Sequence, residues 1–254
     1  ALLHDTVEDT WVTLDDVERM FGKRERAIID GVPKISGLFD LAQSAQAENF
    51  RKMLLTLSDD IRVILIKIAD RLHNMRTLDS MKREKQLKIA GETDFMYAPL
   101  AHRLGLYAIK SELEDLSLRY RQPEEYAVIE QKLRKTKAVR TRFINSFAAP
   151  IKEALAKEGL EFSIKGRPKS IASIWNKMQK QKVSFEDIYD IFAIRIVLDA
   201  KPDQEKSDAW RTYSVVTDFY PPNPDRLRDW ISIPKANEAT MHKNLFEQKC
   251  KRGC

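Results

Sequence analysis

Four ionisable side chains crowd the first ten residues, A-L-L-H-D-T-V-E-D-T, in which His4 and Glu8, and Asp5 and Asp9, stand four apart. Residues at that spacing share one side of a helical turn, and four such groups together suit a cation. A second polar set lies in I-R-V-I-L-I-K-I-A-D-R-L-H-N-M-R-T-L, residues Ile61 to Leu78. Here Lys67, Asp70, Asn74 and Thr77 fall on one narrow line at about 100° per residue. Ile61, Val63, Ile64, Leu65, Ile66, Ile68, Leu72, Met75 and Leu78 cover most of the remaining circumference, so the pattern predicts a buried helix. A buried carboxylate must be paired or bound to a metal. A core helix with an internal salt bridge and a polar seam lining a site are both open, and the opening residues offer matching ligands for the seam.

A different chemistry is suggested by Lys165-Gly166-Arg167-Pro168-Lys169, which leaves a strand and enters a helix carrying Ser173 and Lys177. Cations and a helix N-terminus converge there where a triphosphate could lie, and Gly166 would let backbone approach a ligand. Asp190 stands at the mouth of the apolar run I-F-A-I-R-I-V-L, placed to hold Mg²⁺ against those phosphates. Arg226, Arg228 and Lys235 add basic positions in R-L-R-D and P-K-A-N, the latter ending at Asn237.

An adjacent His-Asp pair with a distant Asp on a buried helix resembles the ligand set of the HD phosphohydrolases, in which a divalent metal polarises phosphate and generates hydroxide. Joined to Glu8-Asp9 and to A-D-R-L-H-N-M-R-T-L, it resembles the hydrolase half of the RelA/SpoT (Rel/Spo) family, the bacterial enzymes of the stringent response that make and destroy guanosine tetra- and pentaphosphate, (p)ppGpp. The second half is similar to that family's synthetase domain, with G-R-P-K, D-x-x-A-x-R, R-x-K-D and P-K-A-N in order. The synthetase moves pyrophosphate from ATP to the ribose 3′-oxygen of GDP or GTP.

The resemblance covers residues 1 to 237 and implies a role for each matching position. His4, Asp5 and Asp70 match ligands of Mn²⁺, Glu8 and Asp9 the catalytic acidic pair, and Asn74 and Thr77 nucleotide contacts. Arg167 resembles the position that stacks on adenine, while Lys169, Ser173 and Lys177 resemble phosphate and ribose contacts. Asp190 matches the catalytic, Mg²⁺-binding aspartate. Arg226, Arg228, Lys235 and Asn237 fall in the nucleotide-binding R-x-K-D and P-K-A-N motifs, and Arg for Lys at 228 keeps the charge but not the shape.

Two departures from the family pattern shape the expectations. The family's hydrolase has a further metal-binding His upstream of its His-Asp pair, whereas this sequence begins three residues before His4. After P-K-A-N the family continues with G-Y-x-x-L-H and later a Mg²⁺-binding Glu. Here the chain reads E-A-T-M-H-K-N-L-F-E-Q-K-C-K-R-G-C. Both sites are therefore expected to be incomplete, with weak metal and ATP binding, little hydrolysis and no synthesis, and residues 238 to 254 are expected to be a frameshifted tail. The regions through which family members associate with the ribosome are not in this sequence. Two alternatives are a catalytically dead nucleotide-binding fragment and a basic helical module for nucleic acid or the ribosome.

Composition fits a soluble globular protein of 254 residues, 43% hydrophobic and 32% charged, with only eight glycines, and favours helix. The net charge of +6 invites a nucleic-acid reading, yet acidic and basic residues alternate along most of the chain and a polyphosphate nucleotide accounts for it equally. Without a run of about eighteen apolar residues or a signal peptide, no membrane association and a cytoplasmic location are expected. Cys250 and Cys254 read as part of a tail rather than a zinc site.

The elements that must position these groups follow in order. A short amphipathic helix starts near Leu14 and ends at a turn marked by Gly31, Pro33 and Gly37; a second helix spans Ala42 to Leu57; Ser58-Asp59-Asp60 caps the helix that carries Asp70. Lys82 to Leu118 continues in helix, with His102 a structural hydrogen-bonding group. The chain breaks around Gln122-Pro123-Glu124, then Glu125 to Gly159 forms one long helix interrupted near Pro150. Leu160 to Ile164, Ile191 to Leu198 and Trp230 to Ile233 read as strands, and Ile171 to Gln181 and Trp210 to Tyr220 as helices. The expected architecture is a mainly α, HD-type hydrolase domain with a helical connector over residues 1-122, then an incomplete α/β, nucleotidyltransferase-like synthetase domain over 123-237, and the tail 238-254.

Overall fold

The computed structural model describes residues 3–41, 60–188, 191–222, 224, 227–232 and 245–246, with the side chains of 33–41, 167 and 245–246 left aside. The expected helix from Ala42 to Leu57 lies outside the described residues. The chain divides into two compact units, Ala1–Pro123 and Glu124–Cys254.

The first unit is helical: α1 (Thr6–Asp9), α2 (Leu14–Phe21), α3 (Lys23–Leu41), α4 (Ile61–Arg76), a 3₁₀ turn at Leu78–Ser80, α5 (Arg83–Glu92), a π turn at Thr93–Tyr97, α6 (Ala98–Arg103) and α7 (Tyr107–Arg121). A reciprocal capping box between Thr13 and Asp16 starts α2. The expected turn at Gly31, Pro33 and Gly37 is not there, because α3 runs through all three, and the chain instead breaks at Gly22, whose φ of 104° suits glycine. Gly31 serves packing: a Cβ on it would sit 3.0 Å from Val63 Cγ2, so the glycine lets α3 close on α4.

Asp60 caps α4 by accepting a hydrogen bond from the Arg62 amide at 2.9 Å. Val63, Ile64, Ile68, Leu72 and Met75 are buried on one face, in a core shared with Val32, Leu78, Tyr97, Leu100 and Leu113. The all-round burial expected of this helix is corrected, since Ile61 and Leu65 are 54% and 39% exposed. Nor is Lys82 to Leu118 one helix. Gly105, at φ 74°, turns the chain between α6 and α7, and His102 meets the edge of Tyr107 with ring centroids 5.5 Å apart.

The second unit comprises α8 (Pro123–Lys135), α9 (Lys137–Lys157), β1 (Phe162–Pro168), α10 (Ile171–Gln181), β2 (Phe192–Leu198), α11 (Glu205–Phe219) and β3 (Leu245–Phe246). The strands form an antiparallel sheet in the order β1-β2-β3, with Phe162 opposite Leu198 and Pro168 opposite Phe192. Phe147, Ile151, Leu155, Ile194 and Val216 make its core, and Phe147 stacks on Tyr220 at 4.0 Å.

Three expectations are corrected here. The long helix breaks at Thr136, whose hydroxyl donates to the Lys132 carbonyl at 3.0 Å, while Pro150 is carried inside α9 by buried neighbours at Ala148 and Ile151. The first strand starts two residues later than read and extends through Lys165, Gly166 and Arg167, so the basic motif is strand rather than strand exit. Trp230 to Ser232 is a turn, since the Asp229 carboxylate accepts from the amides of Ile231 and Ser232 at 3.0 and 2.8 Å. Among the described residues no helix is long and apolar enough to cross a membrane.

Candidate functional site

In the first unit, the turn before α1 and the middle of α4 bring together residues far apart in sequence. Backbone amides of Glu8 and Asp9 donate to the Asp5 carbonyl at 3.1 and 2.8 Å, which fixes the turn that presents His4 and Asp5. On α4, burial of Ile68, Leu72 and Met75 sets the rotation of the helix and leaves Asp70 on its partly exposed flank. His4 Nε2 lies 2.8 Å from Asp5 Oδ2 and 3.4 Å from Asp70 Oδ1. One ligand atom from each of the three lies within 4.8 Å of the others. An imidazole nitrogen facing two carboxylates is a donor set that fits a divalent first-row cation.

The rest of the seam surrounds this triad. Asn74 Nδ2 donates to Asp70 Oδ1 at 3.1 Å, and Lys67 Nζ lies 3.9 Å from Asp70 Oδ2. Thr77 is exposed at the end of α4, where its hydroxyl donates to the His73 carbonyl at 3.1 Å. Glu8 and Asp9 are exposed on α1, outside the triad.

Beside the triad stands a support that the sequence reading did not single out. Arg71 Nη2 donates to the Tyr97 hydroxyl at 3.2 Å, Nη1 lies 3.4 Å from Glu92, and the guanidinium sits 4.3 Å from the Tyr97 ring centroid. Burial pushes the Tyr97 hydroxyl pKa above its ordinary value, with Arg71 pulling the other way. The adjacency of Arg71 to Asp70 was legible, whereas the partner depends on a π turn that no periodicity announces.

In the second unit, Lys169 and Ser173 lie where the end of β1 passes into the start of α10. The Lys169 amide donates to the Ile191 carbonyl at 2.8 Å, joining this turn to the chain next to Asp190. Ser170 caps α10 by accepting from the Ser173 amide at 3.3 Å, and its hydroxyl donates to Ser173 Oγ at 2.7 Å. Lys177 lies one helical turn beyond Ser173, half-buried.

Gly166 serves packing as well. A Cβ there would fall 2.7 Å from Ile144 Cδ1, so the glycine lets α9 approach β1. Lys165 stands directly opposite Arg195 in the pairing of β1 with β2. Arg167 lies opposite Ala193 in β1, and Arg228 is exposed in the loop before the Asp229 turn. Asp190, Arg226, Lys235 and Asn237 lie outside the described residues.

Comparison with known proteins gives two family matches, "HD domain" over residues 1–107 and "Region found in RelA / SpoT proteins" over residues 166–252. A protein named GTP pyrophosphokinase from Myxococcus xanthus is 44% identical over 241 residues, covering 93% of this chain and 31% of that protein. The bifunctional (p)ppGpp synthase/hydrolase SpoT of Escherichia coli is 42% identical over 238 residues, covering 93% and 33%. A guanosine-3′,5′-bis(diphosphate) 3′-pyrophosphohydrolase from Aquifex aeolicus is 38% identical over 253 residues, covering 99% and 35%. The chain thus spans about a third of the length of the curated relatives it matches. A helical unit bearing the HD match, an α/β unit bearing the RelA/SpoT match, and this identity across nearly the whole chain make it a member of the RelA/SpoT family.

Proposed function

We propose that the first unit carries residues of a site that hydrolyses the 3′-pyrophosphate of (p)ppGpp and that the second carries residues of a site that transfers pyrophosphate from ATP to GDP or GTP. The observation that carries the first reading is the meeting of His4 and Asp5 with Asp70 across 66 residues of chain. These three would hold Mn²⁺, whose charge would offset that of the pyrophosphate. In the hydrolysis, water oxygen joins phosphorus, the bond from phosphorus to the 3′-oxygen breaks, and the products are a ribose 3′-hydroxyl and pyrophosphate. Glu8 and Asp9, carboxylates one turn from Asp5, are suited to take the proton of the attacking water and pass it on. Asn74 and Thr77 would orient the nucleoside.

In the second unit, Lys169 and Ser173 stand at a helix N-terminus suited to a triphosphate, Lys177 one turn further along would add a cation, and Arg167 would lie against the adenine of ATP. Asp190 would hold Mg²⁺, and Arg226, Arg228, Lys235 and Asn237 would bind the acceptor nucleotide. A cytoplasmic location suits substrates of this kind.

Thermal melting with and without MnCl₂ tests the metal centre. Mn²⁺ is expected to raise the melting temperature through preferential binding to the folded state, and Asp70→Ala to abolish the rise. Equal shifts in both proteins would count against it. For the second unit, melting with ATP and MgCl₂ should respond to ATP in the parent chain and lose the response in Lys177→Ala.

A further inference from the structure

We propose that the outer face of the bend between α8 and α9 is a docking surface for the phosphate backbone of a nucleic-acid duplex. This surface is separate from the two sites above and does not depend on their reading.

The charge of the chain is concentrated there. Between Glu130 and Glu153 the sequence holds no Asp or Glu, and residues 131–142, Q-K-L-R-K-T-K-A-V-R-T-R, carry Lys132, Arg134, Lys135, Lys137, Arg140 and Arg142. Taking these six from the 44 Lys and Arg of the chain leaves 38, equal to its 38 Asp and Glu, so this stretch accounts for the whole net charge of +6. Two of the six are answered by carboxylates, Lys132 by Glu186 at 2.6 Å and Arg134 by Glu130 at 3.0 Å. Arg140 donates to the Thr136 hydroxyl at 3.0 Å. Among the described residues Lys135, Lys137, Arg140 and Arg142 form no ion pair.

Folding alone does not call for this arrangement. Lys132 and Lys135, Arg134 and Lys137, and Lys137 and Arg140 are like charges three residues apart, which repel along a helix surface. The last turn of α8 suits its cations. Lys137 and Arg140, however, stand in the first turn of α9, which holds no acidic residue and where the helix dipole disfavours positive charge.

The geometry selects the partner. At about 100° per residue, Arg134, Lys135, Lys137 and Arg142 fall on the side of the bend away from Phe143, Ile144 and Phe147, which belong to the core of the second unit. All four are exposed, Arg134 to 76% of its side chain. From Arg134 to Arg142 is about 12 Å at about 1.5 Å per residue, a length over which a duplex presents about seven phosphate charges. No aromatic side chain stands among residues 131–142, so the face offers no platform for the bases of a single strand. The apolar side of α9 is taken up by the core through Phe147, Ile151 and Leu155, which leaves nothing to enter a lipid surface. A rigid row of phosphates is the complement of this face, met through charge and without reading bases.

Fluorescence anisotropy of a labelled DNA duplex of mixed sequence, titrated with the full chain over a NaCl series, tests this. Affinity is expected to fall with salt at a log–log slope of about −3 to −4, the release of about four counterions. Each of Arg134→Gln, Lys135→Gln, Lys137→Gln and Arg142→Gln should reduce the slope by about 1, and the four combined should abolish binding. The combined variant is expected to melt no lower than the parent chain, since it relieves like-charge contacts. Substituting Gln for Lys85, Lys88, Lys157 and Lys180, four exposed cations elsewhere, should leave binding in place. Equal losses in the two fourfold variants would reduce the effect to net charge and overturn the proposal. So would tighter binding of a single strand, or of phosphatidylserine vesicles, than of the duplex, and so would a parent chain that shows no salt-dependent binding.

Discussion

Gly166 and Ile144 are in contact so close that a methyl group on the glycine would lie 2.7 Å from Ile144 Cδ1. The β1 strand that carries the basic motif is thus seated on α9 by the absence of a side chain. Gly166→Ala is expected to destabilise the second unit by about 1–3 kcal/mol, the usual cost of overpacking. Urea denaturation followed by far-ultraviolet circular dichroism would measure it. Adding Ile144→Ala should recover part of the loss, and a double variant whose losses simply add would show that the two residues do not share the space.

That contact also shows where sequence reading stops. The order of helix and strand in the second unit, and the helix from Ile171 to Gln181, follow from periodicity and β-branched residues. For Gly166 the sequence shows its neighbours along the chain, a run of cations, and not Ile144 of α9, which packs against it. Gly31 reads as a turn residue, whereas it is a helix contact with Val63. The meeting of His4-Asp5 with Asp70 was legible because these groups have chemistry that needs a partner. Arg71 and Tyr97 were not, since nothing along the chain marks the π turn that brings Tyr97 beneath the guanidinium.

The one-sided burial of α4 makes a sharp contrast between neighbours. Ile68 is fully buried and Ile61, seven residues earlier, is 54% exposed. Ile68→Ala should cost about 2–5 kcal/mol through lost burial and a residual cavity, whereas Ile61→Ala should stay within about 0.5 kcal/mol. Equal losses in urea titrations would mean that the exposed flank is covered in solution.

Acid should act on the cap of the same helix. The Arg62 side chain, then the Arg62 amide, hold the Asp60 carboxyl at about 2, below its ordinary 3.8. A depressed carboxylate contributes stability that is present above the unfolded value and is lost as pH falls through the folded one. Asp60→Asn should therefore melt below the parent chain at pH 7, with the gap closing between about pH 4 and pH 2. Melting temperatures at half-unit pH steps would reveal the convergence, and a gap constant down to pH 2 would refute the link.

Alkali should act through Tyr97. Its ring is 4% exposed, and burial keeps its hydroxyl protonated above the ordinary value of 10.0. For a group whose folded pKa is raised, the contribution is fully present below the unfolded value and is lost as pH rises through the folded one. Tyr97→Phe removes both the ionisation and the hydrogen bond from Arg71. Below about pH 9 the variant is expected to be less stable by about 0.5–1.5 kcal/mol, the net worth of such a bond. As pH rises past 10 the unfolded parent chain gains a phenolate that its folded state resists, and the gap should narrow and then reverse. Other tyrosines titrate in both proteins, Tyr120 among those shifted upward, so the difference between the two urea midpoints isolates Tyr97. A difference unchanged from pH 8 to pH 11 would mean that the Tyr97 phenol ionises as readily in the folded chain as in water.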